Sequence, residues 1–237
     1  MPRAGRGPLP LRPLLILSAA VALTLAGPDA DSDGADSVGV LAEDKFLYFA
    51  YGSNLLARRL LILNPTAKRF GVGQLRDYRL DFSTPPSKRW GGAPATVVPD
   101  PGEDVWGAIW SLDMKDRDNL DEQEGVGTGW YRVFNATVLT PAGGSVRCRC
   151  YMMGVVPAKV SEAERPAERQ PSLVYKQVVL AGAAESGLPA DYIARLRAVR
   201  DNGSPGVDPP VTLESLQQQQ LQEAQSTVAA PVAPAAR

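Results

Sequence analysis

Residues Tyr48-Phe49-Ala50-Tyr51-Gly52-Ser53-Asn54-Leu55 run an apolar, aromatic strand into a Gly-Ser-Asn turn, and an apolar helix pattern follows at Leu55, Leu56, Leu60 and Leu61. Strand, tight turn and helix in that order leave backbone N–H groups at a helix start, where they can hold an anion. Gly52 permits a backbone angle that a bulky residue resists. Ser53 or Asn54 is suited to cap the first turn. By spacing alone the pattern reads first as an ordinary capped strand–turn–helix.

Around this turn the chain alternates short strands with few helices. Strands are expected at Phe46–Tyr51, Arg69–Leu75, Tyr78–Phe82, Ala95–Val98 and Val105–Leu112. Tyr131–Leu139 and Val146–Met153 read as a strand pair joined by Pro141-Ala142-Gly143-Gly144. Helices are expected from Asn54 to Leu63, from Met114 to Glu122 with Asp113 as N-cap, and at Leu173–Ser186 and Ala190–Val199. Ser83–Pro94 and residues 157–171 read as loops. This mixture indicates an α+β domain. After Asp201 the pattern fades into Gln217–Gln220 and Ala-Pro-rich sequence, read as a disordered tail. An amphipathic helix through Leu213, Leu216 and Leu221 is the alternative there.

The chain has 237 residues and no histidine, which removes Ser-His-Asp triads, Cys-His dyads and His-based metal sites. Proton transfer must then fall to Glu, Asp, Lys or Tyr. Two cysteines cannot build a zinc site alone, and no metal or other cofactor is expected. Cys148 and Cys150 stand two apart on one strand face, where a disulfide would be strained, and read as structural thiols. A net charge of −1 gives no basic field for nucleic acid.

The N-terminus reads as a secretory signal peptide. Arg3, Arg6 and Arg12 form a basic start, and Leu14–Ala26 is an apolar stretch too short to span a bilayer comfortably. Thr24-Leu25-Ala26 offers small residues for cleavage before Gly27, and the Asp-rich sequence after it gives no basic stop-transfer flank. A secreted or luminal protein follows, with mitochondrial or cytoplasmic location as the rival and no stable membrane span. Asn135-Ala136-Thr137 and Asn202-Gly203-Ser204 are sequons. Asn202 sits in a Gly-Pro-rich turn and reads as the better acceptor.

Leu120-Asp121-Glu122-Gln123-Glu124-Gly125-Val126 closes the acidic helix and precedes Gly127, Gly129, Trp130 and Tyr131. With the Tyr48–Leu55 turn, it resembles the gamma-glutamylcyclotransferase family, which carries an aromatic-YGSN loop and a DEQEG glutamate. The resemblance extends through Trp90-Gly91-Gly92, Asp104-Val105-Trp106-Gly107, Cys148-Arg149-Cys150-Tyr151 and Tyr175-Lys176, from about Phe46 to Arg200. It implies a small mixed β-barrel with surrounding helices and flexible tails at both ends. The resulting division is residues 1–26 signal peptide, 27–44 leader, 45–201 cyclotransferase-like domain and 202–237 tail.

The resemblance also implies a reaction. The α-amine of a γ-glutamyl amino acid or peptide attacks its own γ-carbonyl, giving 5-oxoproline and a free amino acid. Glu124, the DEQEG glutamate, is implied as the catalytic group, with Trp130 and Tyr131 as apolar walls and Glu122 as its rival. Tyr48, Phe49, Ala50, Tyr51, Gly52 and Ser53 are implied as the substrate-binding loop, although Tyr48 and Tyr51 suit core packing equally. Tyr175 matches a substrate-contacting tyrosine and also suits an amphipathic helix. Asn54 with DEQEG favours the γ-glutamyl-amino-acid branch over the γ-glutamylamine and glutathione-specific branches. The partner is a small γ-glutamyl substrate, and a homodimer is left open. The reading from another class is a non-catalytic secreted binding protein that keeps the fold and the anion-holding loop. An enzyme requires Glu124 beside the Gly52 loop in one closed pocket.

Overall fold

The computed structural model describes residues 44–229. The expected signal segment, nearly all of the leader and the last residues of the tail lie outside them. Five strands, β1 (Lys45–Ala50), β2 (Lys68–Phe82), β3 (Ala95–Asp113), β4 (Tyr131–Leu139) and β5 (Ser145–Met153), close into a barrel in the order β1-β3-β2-β4-β5. β1 runs antiparallel to β3, from Lys45 opposite Asp113 to Ala50 opposite Ala108. It runs parallel to β5 at Tyr48–Arg149, which makes the barrel mixed. The small mixed barrel is therefore as expected.

β1 is buried from Leu47 to Ala50, because a strand with neighbours on both sides and both faces covered has no polar side to show. Phe49, Leu75, Val105, Ile109, Val138 and Cys150 fill the core. Each large apolar side chain taken fully out of water contributes about 1.5–3 kcal/mol. The two cysteines are unbridged and buried, and burial pushes the Cys148 thiol up to about 12. Both thiols are therefore packing groups.

Two expected strand pairs are single strands. Arg69–Leu75 and Tyr78–Phe82 are joined through Asp77, a non-glycine residue at φ 61, where the register of β2 against β3 shifts. Ala95–Val98 and Val105–Leu112 are joined in the same way across Pro99-Asp100-Pro101-Gly102, which faces Asp77. The Asp77 carboxylate accepts from Gly102 N–H at 3.0 Å. The turn-type residues mark a bulge, which the sequence pattern presents as a break.

The helices are α1 (Ala57–Leu60), α2 (Arg117–Gln123), α3 (Leu173–Ser186), α4 (Ala190–Ala198) and α5 (Leu213–Ala229). The expected helix from Asn54 to Leu63 is shorter: a 3-10 turn at Ser53–Leu55, then the single turn of α1. Asp113 does not cap the helix after it; its carboxylate pairs with Lys45. Residues 202–212 form no helix or strand, and Val207 N–H donates to the Arg89 carbonyl at 3.0 Å. Val211 and Leu216 are buried, and α5 occupies the stretch for which a helix was the alternative. The loop of residues 157–171 is fixed by charge. Asp81, 2% exposed, accepts from Arg165 at 2.6 Å and from Arg169 at 2.8 Å. No helix among the described residues is long and apolar enough to cross a membrane.

Asn202 Nδ2 donates to the Gly91 carbonyl at 2.9 Å and its Oδ1 accepts from Ser204 N–H at 2.9 Å. The sequon read as the better acceptor is thus held in a turn, whereas Asn135 is exposed on β4.

Candidate active site

Glu124 follows the last residue of α2. Fully buried Leu120 anchors that helix to the core, and Glu124 N–H donates to the Leu120 carbonyl at 3.0 Å. Gly125 then turns the chain at φ 65, a left-handed conformation that favours glycine.

Asn54 meets that glutamate from the turn after β1. Neither Ser53 nor Asn54 caps a helix. Instead Asn54 Nδ2 donates to the Tyr48 hydroxyl at 3.0 Å and to Glu124 Oε1 at 3.0 Å. Gln123 Nε2 donates to Asn54 Oδ1 at 3.2 Å and to Glu124 Oε1 at 3.4 Å. Asn64 Nδ2 donates in turn to Gln123 Oε1 at 3.2 Å. The amide chain fixes the carboxyl through Oε1, and among the described residues nothing donates to Oε2.

Glu124 is partly covered as a residue, but its carboxyl lies among Tyr48, Asn54 and Gln123, away from bulk water. Burial pushes its pKa up to about 7, against the opposing charge of Arg59 and the hydrogen bonds from Gln123 and Asn54. Such a carboxyl exchanges protons near neutral pH. Glu122 is exposed on the outside of α2 and does not line the cavity.

The cavity measures about 280 Å³ and is lined by the Gly52–Asn54 turn on one side and Glu124 on another. Trp130 and Tyr131 form part of its wall, as expected of them. Tyr131 is held by donating to the Ala95 carbonyl at 2.7 Å. Tyr48 and Tyr51 both line the cavity and pack in the core. The Tyr51 hydroxyl donates to the Tyr151 carbonyl at 2.6 Å. Phe49 and Ala50 are not brought to the cavity wall; their side chains belong to the core.

Tyr175, on α3, is buried and reaches the turn. Its hydroxyl accepts from Ala95 N–H at 3.2 Å, and its ring meets Trp90 edge-on at 5.1 Å. A Cβ on residue 52 would lie 2.8 Å from that hydroxyl. Gly52 has φ −112, so lack of space, and not a left-handed angle, demands glycine there. The backbone and side chain of Ser53 also hydrogen-bond to the Tyr175 hydroxyl, so this tyrosine and the turn meet directly.

Arg59, Asn64 and Gln123 were not singled out in the sequence. Gln123 lies inside the DEQEG motif. Arg59 sits between Leu56 and Leu60 on a helical turn, a spacing that faces it inward with them. Asn64 carries no such signal. Among the described residues no group of three His, Cys, Asp or Glu side chains is arranged to hold a metal ion.

The AIG2-like family matches residues 104–196, a span that holds Glu124 and Tyr175 but not the Tyr48–Asn54 turn. Human gamma-glutamylcyclotransferase is 40% identical over 167 residues, which cover 69% of this chain and 84% of that protein. The chain belongs to the gamma-glutamylcyclotransferase family. The mouse gamma-glutamylcyclotransferase is 41% identical over 162 residues, covering 67% of this chain and 81% of its own. A solved structure named gamma-glutamyl cyclotransferase superposes with a TM-score of 0.64 at 36% identity, over 75% of this chain and 99% of that one. In this gamma-glutamylcyclotransferase-family enzyme, the two motifs that carry the resemblance meet in one cavity.

Proposed function

We propose that the enzyme cyclises γ-glutamyl amino acids or peptides to 5-oxoproline and releases the free amino acid, with Glu124 carrying the protons. The observation behind this reading is the hydrogen bond between Glu124, whose carboxyl is pushed up to about 7, and the Gly52–Ser53–Asn54 turn of the same cavity. The nucleophile and the electrophile belong to one molecule, so the tether already meets much of the entropy cost of bringing them together. The enzyme must hold the chain bent and move protons.

The Gly52 and Ser53 N–H groups are the donors for the substrate α-carboxylate. Tyr175 closes the far side of the turn. The Glu124 carboxylate takes one proton from the α-ammonium, and the resulting amine attacks the γ-carbonyl. A C–N bond forms to close the ring. Glu124 returns its proton to the leaving nitrogen, the original amide C–N bond breaks, and the ring nitrogen gives up a second proton by the same route. Two protons move from the attacking to the leaving nitrogen, and Glu124 ends as it began, a carboxylate. A base with a pKa near 7 suits an amine that titrates near pH ~8 better than an ordinary carboxylate does.

Incubation of purified protein with γ-glutamyl-alanine tests this. 5-Oxoproline and alanine are expected in equal amounts. Binding without either product would favour the non-catalytic binding protein, for which a carboxyl poised near neutrality has no evident use.

The proposal extends to location. The basic start, the short apolar run and the Thr24-Leu25-Ala26 site support a secretory route with cleavage before Gly27. The substrates would then be γ-glutamyl compounds outside the cytosol. N-terminal sequencing of protein from expressing cells should begin at Gly27; an intact Met1 on cytosolic protein defeats this part and leaves the chemistry standing.

A further inference from the structure

The cavity holds a buried cation with almost nothing to do. Arg59 is 9% exposed and lines the same space as Glu124. Among the described residues its guanidinium makes one hydrogen bond, from Nη1 to Gln123 Oε1 at 3.5 Å, the far limit of such a bond. Its Nε is buried without an acceptor. Among the described residues no carboxylate forms an ion pair with it, whereas Arg149 pairs with Asp121 and Arg165 with Asp81. Glu124 acts on Arg59 from a distance, and its carboxyl is neutral for about half the time near pH 7. Arg89 also lines the cavity, but it is exposed, and its Nε donates to the Asp208 carbonyl at 3.2 Å. A buried guanidinium without an anion is costly to the folded protein. Its planar fork matches a carboxylate in two-point contact.

The proposed substrate brings two carboxylates. One belongs to the γ-glutamyl unit and goes to the Gly52–Ser53 turn. The other belongs to the departing amino acid, two bonds from the nitrogen that Glu124 must protonate. That second carboxylate therefore falls close to Glu124, where Arg59 is the buried cation. We propose that Arg59 binds the carboxylate of the departing amino acid and so selects γ-glutamyl amino acids over γ-glutamyl amines. This rests on the cyclotransferase reading above and deepens it. Arg59 acts on specificity through substrate contact and takes no proton.

The test uses two compounds that differ only in that carboxylate, γ-glutamyl-alanine and γ-glutamyl-ethylamide, with wild-type protein, Arg59→Gln and Arg59→Lys. The wild type should prefer γ-glutamyl-alanine. In Arg59→Gln the ratio of kcat/KM values between the two compounds should fall by about 10²-fold, mostly through KM for γ-glutamyl-alanine. Arg59→Lys keeps the charge without the fork and should lose part of the ratio, which also covers poor folding of the glutamine variant. Equal losses on both compounds, or no loss on either, overturn the proposal. Wild-type protein inert on both would defeat the cyclotransferase reading alone. Calorimetric titration of both compounds then decides the contact: selective weakening of γ-glutamyl-alanine binding in Arg59→Gln supports it, and equal binding overturns it.

Discussion

The Asn54 side-chain amide donates to Glu124 Oε1 at 3.0 Å and joins residues 70 positions apart in sequence. Its second hydrogen goes to the Tyr48 hydroxyl, so the turn after β1 and the end of α2 are held in one register. This bond also acts on the chemistry, because a donor to a carboxylate favours the charged form. Asn54→Leu keeps the volume and removes both hydrogens. Glu124 should then titrate higher than about 7. At pH about 7.5 less of it is carboxylate, and turnover of γ-glutamyl-alanine should fall about tenfold, the scale of one hydrogen bond to a charged group. A pH–rate profile of the variant checks this; an unmoved profile would separate Asn54 from the proton chemistry.

Glu124 sets a pH dependence in two observables with opposite sense. The active base is the carboxylate, so kcat/KM should rise with pH and level off above about 7. Stability goes the other way. Burial raises the folded-state pKa above the ordinary 4.5, so the fold favours the neutral carboxyl. That contribution is complete below pH 4.5 and is lost as pH rises through about 7. Glu124→Gln stays neutral, so its Tm should exceed that of the wild type above pH 7 and approach it near pH 4. Thermal melts across that range check the sign.

Gly52 and Tyr175 compete for one space. A Cβ at residue 52 would stand 2.8 Å from the Tyr175 hydroxyl, which itself accepts from Ala95 N–H. Gly52→Ala should cost about 1–3 kcal/mol of stability, as overpacking does. Removing the hydroxyl with Tyr175→Phe should relieve it, so the double variant loses less than the sum of the two single losses. Additive losses would place the cost of the methyl group elsewhere.

Asp81 is the charge on which the loop of residues 157–171 depends. Burial alone would raise its pKa, but the hydrogen bonds from Arg165 and Arg169 and that of the Phe82 N–H outweigh it and leave the carboxyl below its usual value. Its stabilising effect is present above the ordinary carboxylate range and is lost as pH falls through the depressed folded value. Asp81→Ala leaves Arg169 without a carboxylate and Arg165 with Glu162 alone, and should cost about 3–5 kcal/mol in denaturant unfolding. Loss below 1 kcal/mol would show that the loop is held by other contacts.

Strong local patterns were legible in the sequence. Tyr131–Leu139 and Leu173–Ser186 form over the residues their periodicity indicates. The continuity of β2 and β3 was not legible, because Asp77 and Pro99-Asp100-Pro101-Gly102 are turn-formers that here build a bulge. Barrel closure came from family resemblance, since no propensity records that β2 and β4 meet at Gln74–Leu139. At the site, Tyr48, Gly52, Ser53, Glu124 and Tyr175 line one cavity, whereas Phe49 and Ala50 turn to the core. The amide chain through Asn64 and Gln123 spans 59 residues of sequence and exists only once the barrel brings its ends together.

Glu124 carries the protons in the proposed reaction. Glu124→Gln and Glu122→Gln, assayed side by side for 5-oxoproline release from γ-glutamyl-alanine, test it most directly. Glu124→Gln should lose about 10²-fold or more in kcat while remaining folded. Glu122→Gln, altered on an exposed surface, should stay near wild type. A folded Glu124→Gln that keeps most of its kcat would contradict the account.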